Sequence, residues 1–330
     1  MVLEDAIGRF TYEQSAPVVN PETVFDVASL TKVAATTAMA MLLYQRRQLD
    51  LETLLGDLLP KFLAGREAAS LANEVTLRHL LAHSSGLPGY VELFKVATTP
   101  DSLLRACLKL PIEAPPGTRA EYSDPGFILL GKALEVVTGE TLGAWVRREV
   151  YQPLGMSQTG FRPTGAQKNW LIPPTEEDTA FRHRRIQGEV EDENAWILGG
   201  EAGHAGIFSN VHDLLRLSGA ILRAEGEGCP DAGGAALFDR ATIDLFATRQ
   251  PPDGSWRALG WDTPSGKSSS GRHFSRRSIG HLGFSGCSLW IDLEAKVAVV
   301  LLTNRTWPDR QSQLVKAVRP AFHDAIREGL

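Results

Sequence analysis

The sequence predicts a mixed α/β (α+β) fold: an antiparallel sheet flanked by helices, with a mostly helical region inserted. Residues 287–293 and 296–303 are two apolar, β-branched runs around a tight Glu294-Ala295 turn, the pattern of a buried antiparallel pair. A second strand pattern, Ile7-Gly8-Arg9-Phe10-Thr11-Tyr12, stands near the other terminus. The long stretch between them reads mainly as helices and loops. One sheet built from both termini follows, with residues 1–60 and 205–330 as the sheet domain and 61–204 as the inserted, mainly helical domain.

In chain order, Ser29-Leu30-Thr31-Lys32 leads into the Ala-rich apolar run 33–44, predicting a buried helix from Leu30 to about Arg46. Residues 49–59 link toward Pro60. Residues 76–82 form a short helix with Thr76 near its cap, broken by Ser84-Ser85-Gly86-Leu87-Pro88-Gly89. Residues 100–110 are helical. Pro115-Pro116-Gly117 opens a loop ending in Glu121-Tyr122-Ser123-Asp124-Pro125, where Asp124 caps a helix over 125–138 that Gly139 stops. Residues 141–150 continue helical, and 153–200 are irregular and punctuated by Gly and Pro. Asn210 caps a helix over about 211–225, residues 226–234 are a flexible link, and 311–329 are an amphipathic helix kinked or broken near Pro320. There is no internal repeat.

Composition excludes several functions. A hydrophobic fraction of 43% with 22% charged residues is that of an ordinary globular protein, and 330 residues readily bury a core. A net charge of −5 offers nothing to a nucleic-acid backbone. No apolar run reaches the length of a membrane helix. Cys107, Cys229 and Cys287 are far apart and odd in number, so neither a disulfide framework nor a zinc site follows. The opening Met-Val-Leu-Glu-Asp is not a signal peptide, which places the chain as written in the cytoplasm; removal of a leading segment would make it periplasmic or secreted. Nothing in the sequence sets an oligomeric state.

The chemistry-bearing stretch is Ser29-Leu30-Thr31-Lys32. Residues three apart share a helix face, so the Lys32 amine stands beside the Ser29 hydroxyl. A lysine in an apolar pocket loses its charge more easily, which makes it a base for that hydroxyl. The helix N-terminus favours negative charge developing there. Two further stretches line up with it: Tyr122-Ser123-Asp124 in a loop before a helix, and Gly280-His281-Leu282-Gly283-Phe284-Ser285-Gly286 before the C-terminal strands.

This order resembles the serine β-lactamase and penicillin-binding protein superfamily, and within it the class C β-lactamase-type branch with its esterases and D-amino-acid-specific peptidases. The residues 80–88 turn, the Ala202-Gly203-His204-Ala205-Gly206-Ile207-Phe208-Ser209 segment and Leu259-Gly260-Trp261 are similar to segments of that branch. The resemblance implies Ser29 as the nucleophile that forms an acyl-enzyme, Lys32 as its proton partner and Tyr122 as a second proton carrier. The division of labour between Lys32 and Tyr122 stays open. His281 stands where many members carry the Lys of Lys-Thr-Gly and keeps a hydrogen-bond donor near Tyr122 without a permanent charge. Gly283 lets the strand approach substrate closely, and the backbone N–H groups of Ser29 and Phe284 form the oxyanion hole. The chemistry calls for no metal or cofactor.

Asp124 departs from the branch, which carries Asn there to hold the amide side chain of a β-lactam. Asp124 either contacts substrate or serves as a helix cap. Asn194 and Trp196 are candidate cleft residues, and Trp261 is either cleft or core. His83 is read as a buried, hydrogen-bonded histidine away from the nucleophile. Asp192, Glu193 and His204 lack metal-ligand spacing. The implied activity is hydrolysis of a small-molecule ester, amide or β-lactam, with a carboxylesterase on short acyl esters as the leading reading. A D-Ala-type peptidase or weak β-lactamase is the alternative, and a non-catalytic penicillin-binding or structural homologue is the reading from another class.

Overall fold

A computed structural model describes residues 3–164, 171–224, 236–266 and 268–330. Cys229 and the link expected at 226–234 lie outside the described residues. The helix after Ser29 is wound in three ways. A 3-10 turn over Ala28–Leu30 leads to a π-helical segment at Lys32–Thr37 and then to regular α-helix over Ala38–Gln45. Leu30, Val33, Ala34, Met39, Leu42 and Leu43 are all buried. A helix apolar on every side must be enclosed on every side, and each large side chain among them contributes about 1.5–3 kcal/mol through burial.

Among the described residues, eight short strands form three antiparallel sheets: β1 (Phe25–Asp26), β5 (Ile207–Ser209) and β2 (Gly160–Phe161) in the order β1-β5-β2; β3 (Glu176–Asp178) with β4 (Arg184–Ile186); and β6 (Ser278–Leu282), β7 (Ser288–Asp292) and β8 (Val297–Leu301) in sequence order. The last sheet holds the apolar runs expected as strands, in the register Leu289↔Val300 and Trp290↔Val299. Side chains alternate across its faces. Leu289, Ile291 and Val300 join the main core with Leu214, Leu217 and Ile221 of the Val211–Ala224 helix. Trp290 and Val299 pack with Phe274, Phe322 and Ile326 on the side of the C-terminal helix, Val315–Glu328.

Several expectations about elements are corrected. Residues 7–12 form no strand of a sheet; Arg9 makes an isolated bridge with Val18, because too many polar residues surround it for a buried ladder. The segment is instead tied to the loop after β8 by Asn304 Nδ2 donating to Phe10 O at 3.0 Å. Strand β6 carries Gly280 and His281 and has only one β-branched residue, Ile279; Gly280 is required there because a Cβ would lie 2.3 Å from the Trp290 ring. The C-terminal helix runs through Pro320 unbroken. The cap of the Asp124–Thr138 helix is Ser123, whose Oγ accepts from Gly126 N at 3.0 Å, and not Asp124.

Among the described residues no helix is long and apolar enough to cross a membrane.

Candidate active site

Ser29 sits in the turn that joins β1 to the central helix. Ala28, just before it, has φ of +48°, in the left-handed region that costs a non-glycine residue about 1–2 kcal/mol. Local bonds hold it there: Asp26 Oδ1 accepts from Ala28 N at 2.8 Å, and Thr31 Oγ1 donates to Ala28 O at 2.7 Å. The 3-10 turn followed by a π-helical segment brings Lys32 under Ser29. Lys32 has no solvent exposure, and its Nζ donates to Ser29 Oγ at 3.1 Å, Asp124 Oδ1 at 2.6 Å and His204 O at 3.1 Å. That satisfies all three hydrogens of an ammonium. Burial lowers the Lys32 pKa, and the Asp124 carboxylate opposes that shift without cancelling it.

Tyr122 Oη donates to Ser29 Oγ at 2.8 Å. Burial raises its pKa well above the ordinary tyrosine value, with Asp124 adding to the rise, so the resting group is a phenol. Its ring is braced by His83, whose ring centroid is 4.8 Å away and whose Nδ1 accepts from Ser123 N at 3.0 Å. His83 is therefore the buried, hydrogen-bonded residue expected, but it lies directly against Tyr122 and not away from the nucleophile. Burial, ahead of the nearby cations, keeps it neutral.

His281 is 2% exposed, and its ring centroid is 6.0 Å from that of Tyr122. Its Nδ1 lies 2.8 Å from Leu282 O, an acceptor, which assigns the proton to Nδ1. Burial pushes its pKa down to about 3. The neutral ring keeps its other nitrogen, Nε2, as a bare acceptor, so the donor expected beside Tyr122 is not provided by His281. Two cations do face the Tyr122 ring: Lys32, with Nζ 4.8 Å from the centroid, and Arg257, whose guanidinium carbon is 5.4 Å away and which pairs with Asp262. Nothing in the sequence around Arg257 marks it. It reaches the site because Asp262 bridges to Gly280 on the edge of β6.

The β6–β7 turn closes the site. Gly283 presses so near the Ser29 turn that a Cβ would lie 2.4 Å from Val27 O. Phe284 follows it, half exposed, and with Ala28, Ser29, Tyr122, Asp124, His281 and Gly283 it lines a pocket of about 590 Å³. Tyr90, Glu191, Asp192, Glu193, Arg257 and Asp262 also line it, and Arg305, Arg310 and Arg319 are among the residues on the rest of the wall.

Asp124 lines this pocket, but its carboxylate is committed to Lys32. Asn194 and Trp196 are not brought to it. Asn194 Nδ2 donates to Val91 O at 2.8 Å and its Oδ1 accepts from Phe94 N at 2.9 Å, which ties two loops together. Trp196 Nε1 donates to Glu189 at 3.0 Å, and its ring packs against Phe181. The short Glu193–Ile197 helix turns both away while leaving its first acidic residues at the pocket. Trp261 is buried in the core. His204 and Asp192 pair with each other at 2.9 Å, and Asp192 is held down to about 2 despite burial by that contact and by Lys32.

Comparison with known proteins places the chain in a family. The profile of the family described as Beta-lactamase matches residues 7–319. The chain is 30% identical to the N-acetylmuramyl-L-alanine amidase of Bacillus subtilis, over 86% of this chain and 68% of that protein. It is 29% identical to a Salmonella typhimurium protein provisionally named a D-alanyl-D-alanine carboxypeptidase, over 92% of this chain and 76% of that one. Among solved structures, simvastatin synthase (LovD) from Aspergillus terreus superposes with a TM-score of 0.73 at 20% identity, covering 98% of this chain and 89% of the other. The chain belongs to the beta-lactamase family, a family of serine hydrolases sharing the β-lactamase and penicillin-binding-protein fold.

Proposed function

We propose that this protein is a carboxylesterase that cleaves short acyl esters through a covalent acyl-enzyme on Ser29. The observation that carries the reading is the convergence of Tyr122 Oη at 2.8 Å and Lys32 Nζ at 3.1 Å on Ser29 Oγ. Ser29 Oγ attacks the ester carbonyl carbon, a C–O bond forms, and the carbonyl electrons move onto its oxygen. The hydroxyl proton passes to the unprotonated form of Lys32, the group of the pair whose pKa burial lowers. Collapse of the tetrahedral intermediate expels the alkoxide, which takes a proton from Tyr122 as Lys32 returns one to Tyr122. Water then repeats the cycle on the acyl-enzyme. The backbone N–H groups of Ser29 and Phe284 receive the oxyanion, each worth about 3–4 kcal/mol in the transition state.

Two features favour an ester over an amide or β-lactam. Asp124 spends its carboxylate on Lys32, so it presents no amide-binding group to an acylamino side chain. His281 is neutral and donates to a backbone carbonyl, so it supplies no fixed cation for a carboxylate at that point. The D-Ala-type peptidase stays as the second reading because Arg257 places a cation beside Tyr122 by another route. The test is turnover of a p-nitrophenyl ester, a chromogenic cephalosporin and a D-Ala-D-Ala peptide, each against Ser29→Ala. Ester turnover lost in the variant supports the reading. Preference for the peptide replaces it, and the absence of all three activities together with no covalent label on Ser29 from a phosphonate overturns it in favour of a binding protein.

A further inference from the structure

We infer that Arg319, on the C-terminal helix and remote in sequence from every catalytic motif, is a positioning residue that sets the orientation of the Phe284 peptide N–H toward Ser29. The inference rests on the acyl-transfer reading above.

The turn from Gly283 to Cys287 has its carbonyls drawn toward Arg319, Arg305 and Thr303, and the two arginines also lie among the residues lining the pocket. Arg319 donates through Nη2 to Gly283 O and to Cys287 O, and through Nε to Gly286 O at 3.0 Å. Arg305 Nε donates to Phe284 O at 2.7 Å, and Thr303 Oγ1 donates to Ser285 O at 2.8 Å. A peptide unit is planar and trans, with its C=O and N–H pointing in opposite directions. Gly283 O and Phe284 N–H belong to one peptide. Anchoring that oxygen to Arg319 therefore turns the Phe284 N–H away from the guanidinium, in a turn whose Gly283 packs against Val27, two residues before Ser29.

The turn's own bonds do not explain the arginine. Gly286 N already donates to Gly283 O at 3.0 Å, and Gly283 N to Cys287 O at 2.7 Å, which close the hairpin without help. Arg319 is nevertheless 7% exposed, and among the described residues no carboxylate pairs with it. Burial lowers its pKa, with the Cys287 thiol and the Arg305 cation the next influences. Burying a cation against carbonyls alone is costly, and an apolar residue would fill the same volume more cheaply. The cost is accounted for if the transition state needs a rigid donor: the single bond from Gly286 N holds the Gly283 carbonyl less firmly than that bond and a charge-assisted one from Arg319 together, and a carbonyl that swung toward the forming oxyanion would repel it. The planar fork spreads its donors over Nε and Nη2 to reach three carbonyls, where a lysine would have to serve all three from one nitrogen.

The test compares wild type, Arg319→Lys and Arg319→Met with a short p-nitrophenyl ester, with a boronic acid that forms a tetrahedral adduct on Ser29, and with the carboxylic acid product. The expected result is a fall in kcat of roughly 100-fold for Arg319→Met, the worth of one oxyanion donor, and a smaller fall for Arg319→Lys. KM and product affinity stay within about threefold while boronate affinity falls in step with kcat. Full kcat in either folded variant overturns the inference, as does a fall in kcat with boronate affinity unchanged. Should Arg319→Met fail to fold, Arg319→Lys decides alone, since it keeps the charge and most of the volume. Failure of the acyl-transfer reading looks different: wild type itself shows no ester turnover above Ser29→Ala.

Discussion

Lys32 Nζ lies closer to Asp124 Oδ1, at 2.6 Å, than to Ser29 Oγ, at 3.1 Å. The amine is shared between a carboxylate that favours its charged form and a hydroxyl that needs its neutral form. Burial favours the neutral form and is the larger influence.

Replacing Asp124 by Asn removes the largest influence that raises the Lys32 pKa. The acid limb of kcat/KM is expected to move to lower pH, because Lys32 then loses its proton more readily. A pH–rate profile of Asp124→Asn checks this; a limb that stays in place means that Lys32 is not the titrating base.

Tyr122→Phe deletes the proton relay and leaves the ring packed on His83. A fall in kcat of roughly 10²–10⁴-fold is expected, in the range for loss of one general acid–base. Thermal unfolding should show a change of only a few degrees, as for a mutation costing about 1 kcal/mol. Near-normal turnover removes the phenol from the mechanism.

Gly283→Ala introduces a methyl 2.4 Å from Val27 O and 3.2 Å from Cys287 Cβ. The backbone oxygen cannot move without disturbing Ser29, so the β6–β7 turn must back away and carry the Phe284 N–H with it. Loss of about 100-fold or more in kcat is expected, matching removal of an oxyanion donor. A variant with full activity places the second donor elsewhere.

Glu191 is buried on the pocket wall, and its carboxyl is pushed up to about 8. Arg310 stands 3.3 Å from Oε1 but makes closer contacts with Glu176 and Glu193, so the ion pair does not offset burial. The folded state holds this proton up to about pH 8 while the unfolded chain loses it near 4.5, so stability falls as pH rises through that window. His281 acts in the opposite sense, adding stability as pH rises from about 3 to 6.5. Above pH 6.5 Glu191 acts without that opposition, and a loss of about 2 kcal/mol by pH 8 is expected. Urea denaturation of Glu191→Gln should flatten that decline; an unchanged slope assigns it to another group.

How much of this was legible beforehand divides along a physical line. Spacing along one helix brings Lys32 beside Ser29, continuous apolar runs write β7 and β8, and capping chemistry writes the Thr76 and Asn210 helix starts, because each depends on neighbours within a few residues. The arrival of Tyr122 at the same hydroxyl was readable only through resemblance to a family, since 93 residues separate the two. The tertiary structure alone decided the rest. It gave the helix cap to Ser123 and freed Asp124 for Lys32, turned Asn194 and Trp196 away from the pocket, and fixed the His281 proton on the side of Leu282 O. It also brought Arg257 to Tyr122 and Arg319 to the Gly283 carbonyl. Each of these rests on which burial or pairing wins between distant segments, and the energy of a buried charge depends on its surroundings in space and not on its neighbours in the chain.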